Sequence, residues 1–323
     1  MTAFPKADVL LAGVGVVLFL IPGPSPLSQQ QADGAFEPSV SDPVYEPGSG
    51  PLVLIDEGHN NFHTKNGRYQ PFSRVLEADG YRVDRQINEF TEESLSAVGV
   101  LVISNALHEQ NTRRWVLPTP SAFTSQEIQV IVNFVEIGGG LLLIADHMPF
   151  PGAAAELASQ FDITFTNGFV FTLNRSGQSI NPTVFRRPEW QGSGRSQGRI
   201  DDHPITRGRY DSEVINQIAT FTGSAFHVNE STAALLVFRG DAVMYSPRVA
   251  WEFDQFTRTT NVSGWSQGAA IERGRGRVVL FGEAAMLTSQ QMQDGTTAGF
   301  RSPEARDNEQ LALNVVHWLS FVF

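Results

Sequence analysis

Apolar residues recur along this chain in two registers, and their alternation predicts its architecture. Leu52–Asp56, Val98–Ser104 and Leu141–Ala145 are short continuous apolar runs, the pattern of strands buried on both faces of a parallel sheet. Between them, Tyr69–Ala78 carries Phe72, Val75 and Leu76 at helical spacing. Gln126–Ile137 carries Ile128, Ile131, Val132 and Val135 on one helical face, opened at Ser125 with Glu127 and stopped by Gly138-Gly139-Gly140. Tyr81–Ile87 adds a strand, the TEES segment from Thr91 a helix start, and Ala153–Gln160 a short alanine-rich helix. Strand and helix alternate, which predicts an α/β fold, a flavodoxin-like (Rossmann-like) three-layer sandwich with a mostly parallel sheet.

From Phe226 the pattern turns to β, with Ala233–Phe238, Ala242–Tyr245, Ala269–Glu272 and Arg277–Gly282 as strands and Arg273-Gly274-Arg275-Gly276 as a hairpin turn. Asn308–Phe321 closes the chain as an apolar helix. Asn167–Arg209, rich in Gly, Ser, Arg, Asn and Pro and without period, predicts a long insertion over the carboxyl edge of the sheet, a lid.

The beginning of the chain differs. Lys6 precedes the apolar run Ala7–Ile21, and Pro22-Gly23-Pro24 ends it. A cation, an apolar stretch and a breaker predict a signal peptide or membrane anchor over residues 1–23. The expectation is an exported protein, membrane-anchored through this segment, periplasmic or extracellular. Residues 24–50, polar and repetitive in Pro, Gly and Ser, read as a linker to the domain at 51–323.

Composition narrows the chemistry. The net charge is −11 and no basic cluster stands out, which argues against nucleic acid as a partner. The chain has no cysteine, so disulfides, thiolate metal sites and cysteine nucleophiles are excluded. No Gly-x-Ser-x-Gly elbow or phosphate-binding GxxxxGK[ST] loop occurs, and Gly274-Arg275-Gly276 precedes no helix.

What remains is the set of polar residues that follow the apolar runs. Leu52–His63 reads LVLIDEGHNNFH. Its strand ends in Asp56 and Glu57, and the loop carries His59, Asn60, Asn61 and His63. Asn105 and His108 follow the next buried strand, Asp146 and His147 the one after, and Glu283 the run before it. If these strands are neighbours, their ends converge at the edge where open α/β sheets hold ligands. Asp146, Glu283 and His147 are the catalytic candidates, as acid, base and orienting group. Asp56, Glu57, Asn60, Asn105 and His203 are candidates for substrate binding. His59 and His63 are candidates for a divalent metal ion. Each has a plain structural alternative: Asp146 as a cap of the next helix, the histidines as loop hydrogen-bonders, and Asp56 and Glu57 on opposite sides of an extended strand.

The residues LVLIDEGHNNFHT, GRYQPFSRVLEADGYRV, VLVISNA, GGGLLLIADH, DDHPITRG, GRGRVVLFGEAAMLTS and DNEQLALNVVHWL together resemble the class I glutamine amidotransferase-like superfamily. The resemblance is to its DUF4350 and GldG/intraflagellar-transport-type branch, with ThuA-like proteins as further relatives, and covers Pro51–Phe323. In the amidotransferases a nucleophilic cysteine follows the fourth strand. Here that place falls at about Asp146, so glutaminase chemistry by the family mechanism is excluded. Two readings stay open: a hydrolase or lyase on a small polar or carbohydrate substrate, and a non-catalytic module that binds a small molecule, a carbohydrate or an envelope protein.

Overall fold

The computed structural model describes residues 30–192, 196–230, 232–292 and 295–323. The signal or anchor expected over 1–23 lies outside them. Among the described residues no helix is long and apolar enough to cross a membrane.

The central sheet is organised around β1 (Leu52–Asp56), β2 (Arg82–Gln86), β3 (Val98–Ser104) and β4 (Gly140–Ile144). Further along the chain come β5 (Thr183–Arg186), β6 (Gly198–Ile200), β7 (Gln217–Thr220), β8 (Ala233–Phe238), β9 (Ser266–Arg273) and β10 (Gly276–Phe281). Their order across the sheet is β7-β5-β6-β8-β9-β10-β4-β3-β1-β2. The five strands from β10 to β2 are parallel, paired as β10 with β4, β4 with β3, β3 with β1 and β1 with β2. This is the doubly wound order in which the sheet reverses direction beside its first strand.

The parallel strands explain the three layers. In β3, Val100 and Val102 face one side and Leu101 and Ile103 the other, all buried, as alternation along a strand requires. The first side packs against α1 (Gln70–Ala78) and α4 (Asn308–Leu319), through Phe72, Val75, Leu311 and Val315. The second packs against α2 (Ser125–Glu136) and α3 (Phe150–Ser159), through Ile128, Ile131 and Leu157. Helix α2 begins one residue earlier than its apolar period implies. Thr124 is its cap, in a reciprocal box with Glu127, which satisfies two orphan N–H groups.

The sheet is mixed, not mostly parallel. From β9 onward the strands are antiparallel apart from β5 with β6. The source of the difference is Asn167–Arg209. Its polar composition hides strands: β5 and β6 extend the main sheet, and Phe169–Leu173 pairs with Ala242–Ser246 in a separate four-stranded sheet. A structureless lid is therefore replaced by two sheet edges. Each of these strands has a partner in the chain beyond 210, so local periodicity does not mark them.

The described part of the expected linker is also folded onto the domain. Gln30–Ala32 pairs antiparallel with Gln290–Met292, and Phe36 is buried against the α1 face. Asp33 accepts from Arg301 at 3.0 Å.

Candidate functional site

The carboxyl ends of β1, β3, β4 and β10 lie side by side, as the strand-end residues predict. Two polar clusters form there, and they divide the candidates between them.

The first is Asp56–His59–Glu127. Asp56, at the last position of β1, is fully buried. His59 Nδ1 lies 2.9 and 3.0 Å from its two oxygens, and His59 Nε2 lies 2.8 Å from Glu127 Oε1. The ring stacks on Phe90 at a centroid distance of 4.8 Å and meets Phe123, tilted, at 4.7 Å. Glu127 also accepts from Phe90 N and from Thr124 N and Oγ1. Burial works against charge on His59, but hydrogen bonds and charge from Asp56 and Glu127 outweigh it and raise its pKa. Burial works against charge on Glu127 as well, but hydrogen bonds from Thr124, His59 and Phe90 N outweigh it and lower its pKa. Both nitrogens of His59 are engaged, so the cluster is a clasp between the β1 loop and the start of α2.

The second is a cleft lined by His63, Asn105, Asp146, His147, Glu283 and Gln290. Asn105 organises it. Its backbone is left-handed, φ +53°, a conformation that asparagine tolerates. Its Oδ1 accepts from Asp146 N at 2.9 Å, its carbonyl accepts from Phe62 N, and its Nδ2 lies 3.2 Å from His63 Nδ1. The three strand ends are thereby tied together.

Because Asn105 Oδ1 is taken, Nδ2 donates to His63 Nδ1, and the imidazole proton sits on Nε2. That nitrogen faces the Gln290 amide, whose Nε2 is 3.2 Å away and whose oxygen has no partner. A half-turn of the amide pairs its oxygen with His63 Nε2–H and leaves its NH2 group in the oxygen's place. Burial, with help from Arg68 and His147, holds the His63 pKa well below the ordinary value, so the ring is neutral.

Glu283 follows β10 and is 1% exposed. Its oxygens accept from Ala285 N and Met286 N at 3.1 and 2.7 Å. Burial nevertheless pushes its carboxyl well above the usual carboxylate range, and the charge of Asp146 adds to the rise; bonds from Met286, Ala285 and Phe221 oppose it. Asp146, 8% exposed, accepts from His147 N at 2.7 Å. It does not cap α3, which has no side-chain cap. His147 Nδ1 lies 2.8 Å from the Met148 carbonyl and donates to it. The ring stacks on Phe169 at 4.6 Å and meets Trp251 edge-on at 4.8 Å.

Five candidates fall outside the cleft. Asp56 and His59 belong to the clasp, so His59 and His63 turn to different partners and do not form a pair around one point. Glu57 accepts from Lys65 N, Asn60 donates to the Leu107 carbonyl, and neither lines the cleft. His203 is at the other edge. It caps Pro204–Arg207 and lies edge-on to Trp318 at 5.2 Å. Burial and the nearby Arg207 and Arg277 lower its pKa to about 4.

The cleft also contains residues that no local pattern announces: Phe62, Thr222, Trp251 and Gln290. Trp251 holds φ +67°, costly for a bulky side chain and most often found at functional sites. Its segment has no regular structure, which is why periodicity misses it.

No family model matches the chain, and no curated protein does. Solved structures share its fold. The N-terminal domain of mmIFT52 matches with a TM-score of 0.57 at 13% identity, over 83% of this chain and 97% of that one. A ThuA-like protein from Bacteroides uniformis matches with a TM-score of 0.47 at 13% identity, over 85% and 94%. A second, from Parabacteroides merdae, has a TM-score of 0.41 at 12% identity, over 84% and 90%. At this identity the first likeness shows a shared α/β fold and nothing of the chemistry.

Proposed function

We propose that this chain is a hydrolase or lyase that acts on a small polar substrate in the carboxyl-edge cleft, with Asp146 as base and Glu283 as acid. The observation that carries this reading is that Glu283, whose proton affinity is raised by burial and by the charge of Asp146, lines the same cleft as Asp146. Two carboxyl groups whose surroundings separate their proton affinities are the requirement for acid–base catalysis near neutral pH. His147 lines the same cleft, its ring held by aromatic contacts with Phe169 and Trp251.

The test is turnover by the purified full chain on a panel of small esters, amides and glycosides. Asp146→Asn is expected to lower the rate at least about a hundredfold while leaving the thermal transition in place. An undiminished rate in that variant would sink the assignment.

A second reading, a non-catalytic binding module of an envelope complex, is favoured by the backbone bonds to both Glu283 oxygens and by a cleft of only about 60 Å³. It predicts ligand binding with no turnover. For either reading we propose export or anchoring through residues 1–23, to be checked by whether deleting them moves the protein out of the membrane or envelope fraction.

A further inference from the structure

The cleft carries a chemical preference that the acid–base reading leaves unspecified. Asp146 is more than nine-tenths buried, and among the described residues no arginine or lysine pairs with it. A second carboxyl, Glu283, lies in the same wall. A buried carboxylate with no cation is costly. Phe62 at the same cleft already carries the Arg68 guanidinium over its ring at 3.8 Å, and the Trp251 ring attracts cations as well.

Gln290 gives an independent indication. Its side chain is fully buried, its Oε1 as placed has no partner among the described residues, and the His63 tautomer turns its NH2 group into that unfilled place. The site thus presents negative charge to one part of a ligand and an unused donor to another. Its volume, about 60 Å³, is several times the roughly 10–15 Å³ that one water needs, enough for a few non-hydrogen atoms.

We infer that the cleft receives a 1,2-amino alcohol or the amino-alcohol end of a larger molecule, its ammonium group against Asp146 and Glu283 and its oxygen against the Gln290 amide. This rests on the cleft being the functional site, as proposed above, and names the class of molecule it takes.

The experiment is ligand titration of the purified full chain with ethanolamine, ethylamine and ethylene glycol, followed by calorimetry or ligand-observed NMR. Ethanolamine is expected to bind at least about tenfold more tightly than either comparison compound, the effect of one charge-assisted hydrogen bond. Asp146→Asn should erase its advantage over ethylene glycol, and Gln290→Ala its advantage over ethylamine. Equal affinities for the three compounds in the unmodified protein, or variants that keep both advantages, would overturn the inference. So would a site that takes magnesium or zinc and not ethanolamine. Ethanolamine binding without turnover on any substrate would leave the amine site standing and remove the acid–base assignment. Turnover without the ethanolamine preference would do the reverse.

Discussion

Two histidines four residues apart, His59 and His63, sit at the same sheet edge and meet opposite fates. His59 is held between two carboxylates, with both nitrogens bonded and its charge favoured. His63 is held between two amides, buried and neutral. The first cluster is closed, with every member satisfied from within. Among the described residues, the second leaves an Asp that no lysine or arginine pairs with and an amide with one atom unpartnered. Polar groups in a low-dielectric interior are stabilising when complete and costly when incomplete, so incompleteness, more than residue type, separates a site from a clasp.

The largest expected effect follows from breaking the closed cluster. His59→Ala leaves Asp56 and Glu127 buried without their shared cation. The cost of removing one partner from such a set is about 3–5 kcal/mol, a fall in Tm on the order of 10 °C. Asp146→Asn in the open cluster should do little to Tm, or raise it slightly, because it removes the charge that opposes ionisation of Glu283. Thermal melts of the two variants side by side test the distinction. A larger loss in Asp146→Asn than in His59→Ala would reverse the roles assigned here.

A smaller effect, with a sign, comes from pH. The folded-state pKa of His59 is raised above 6.5, so its contribution is complete below the unfolded value and fades as pH rises through the folded one. The folded-state pKa of His63 lies well below 6.5, so the unfolded chain takes up its proton first and stability falls as pH drops below 6.5. His59→Gln should flatten the decline on the alkaline side of 6.5, and His63→Gln the decline on the acid side. Glu283, raised, contributes a loss of stability with rising pH that begins at its ordinary value of 4.5, and His203, lowered to about 4, adds to the second slope. Urea midpoints across this range decide it: two variants with curves parallel to that of the unmodified protein would show that neither ring titrates differently on folding.

How much of this was legible in the sequence follows from where each residue's partners lie. The parallel strands announce themselves because burial on both faces writes an unbroken apolar run, and their ends locate the cleft. Asn105, Asp146, His147 and Glu283 follow from that step alone. The division between His59 and His63 does not, because it depends on Glu127, 68 residues from His59, and on Gln290, 227 residues from His63. Nor do β5 and β6, whose polar edges pair with strands elsewhere in the chain, or Trp251, whose place is set by an irregular segment. Glu127 left one trace, as the third residue after a threonine at a helix start. The sequence supports that residue as a cap and is silent on its second bond.

That second bond yields the finest test of the comparison. Glu127 divides its oxygens: Oε2 accepts from Thr124 N and Oγ1, while Oε1 accepts from His59 and Phe90 N. Thr124→Ala removes the hydroxyl that bonds Oε2 and that accepts from Glu127 N. Loss of such a cap costs about 1 kcal/mol, the smallest of the effects considered. If cap and clasp are one unit, the loss in Thr124→Ala should shrink when His59 is already alanine, because Glu127 is then free to turn from its original place. A double-mutant cycle measures this directly. A coupling near zero would make Glu127 two independent half-residues, one serving the helix and one the histidine. A coupling of several tenths of a kcal/mol or more would show that the helix start and the β1 loop fold as a single polar structure, distinct from the cleft beside it.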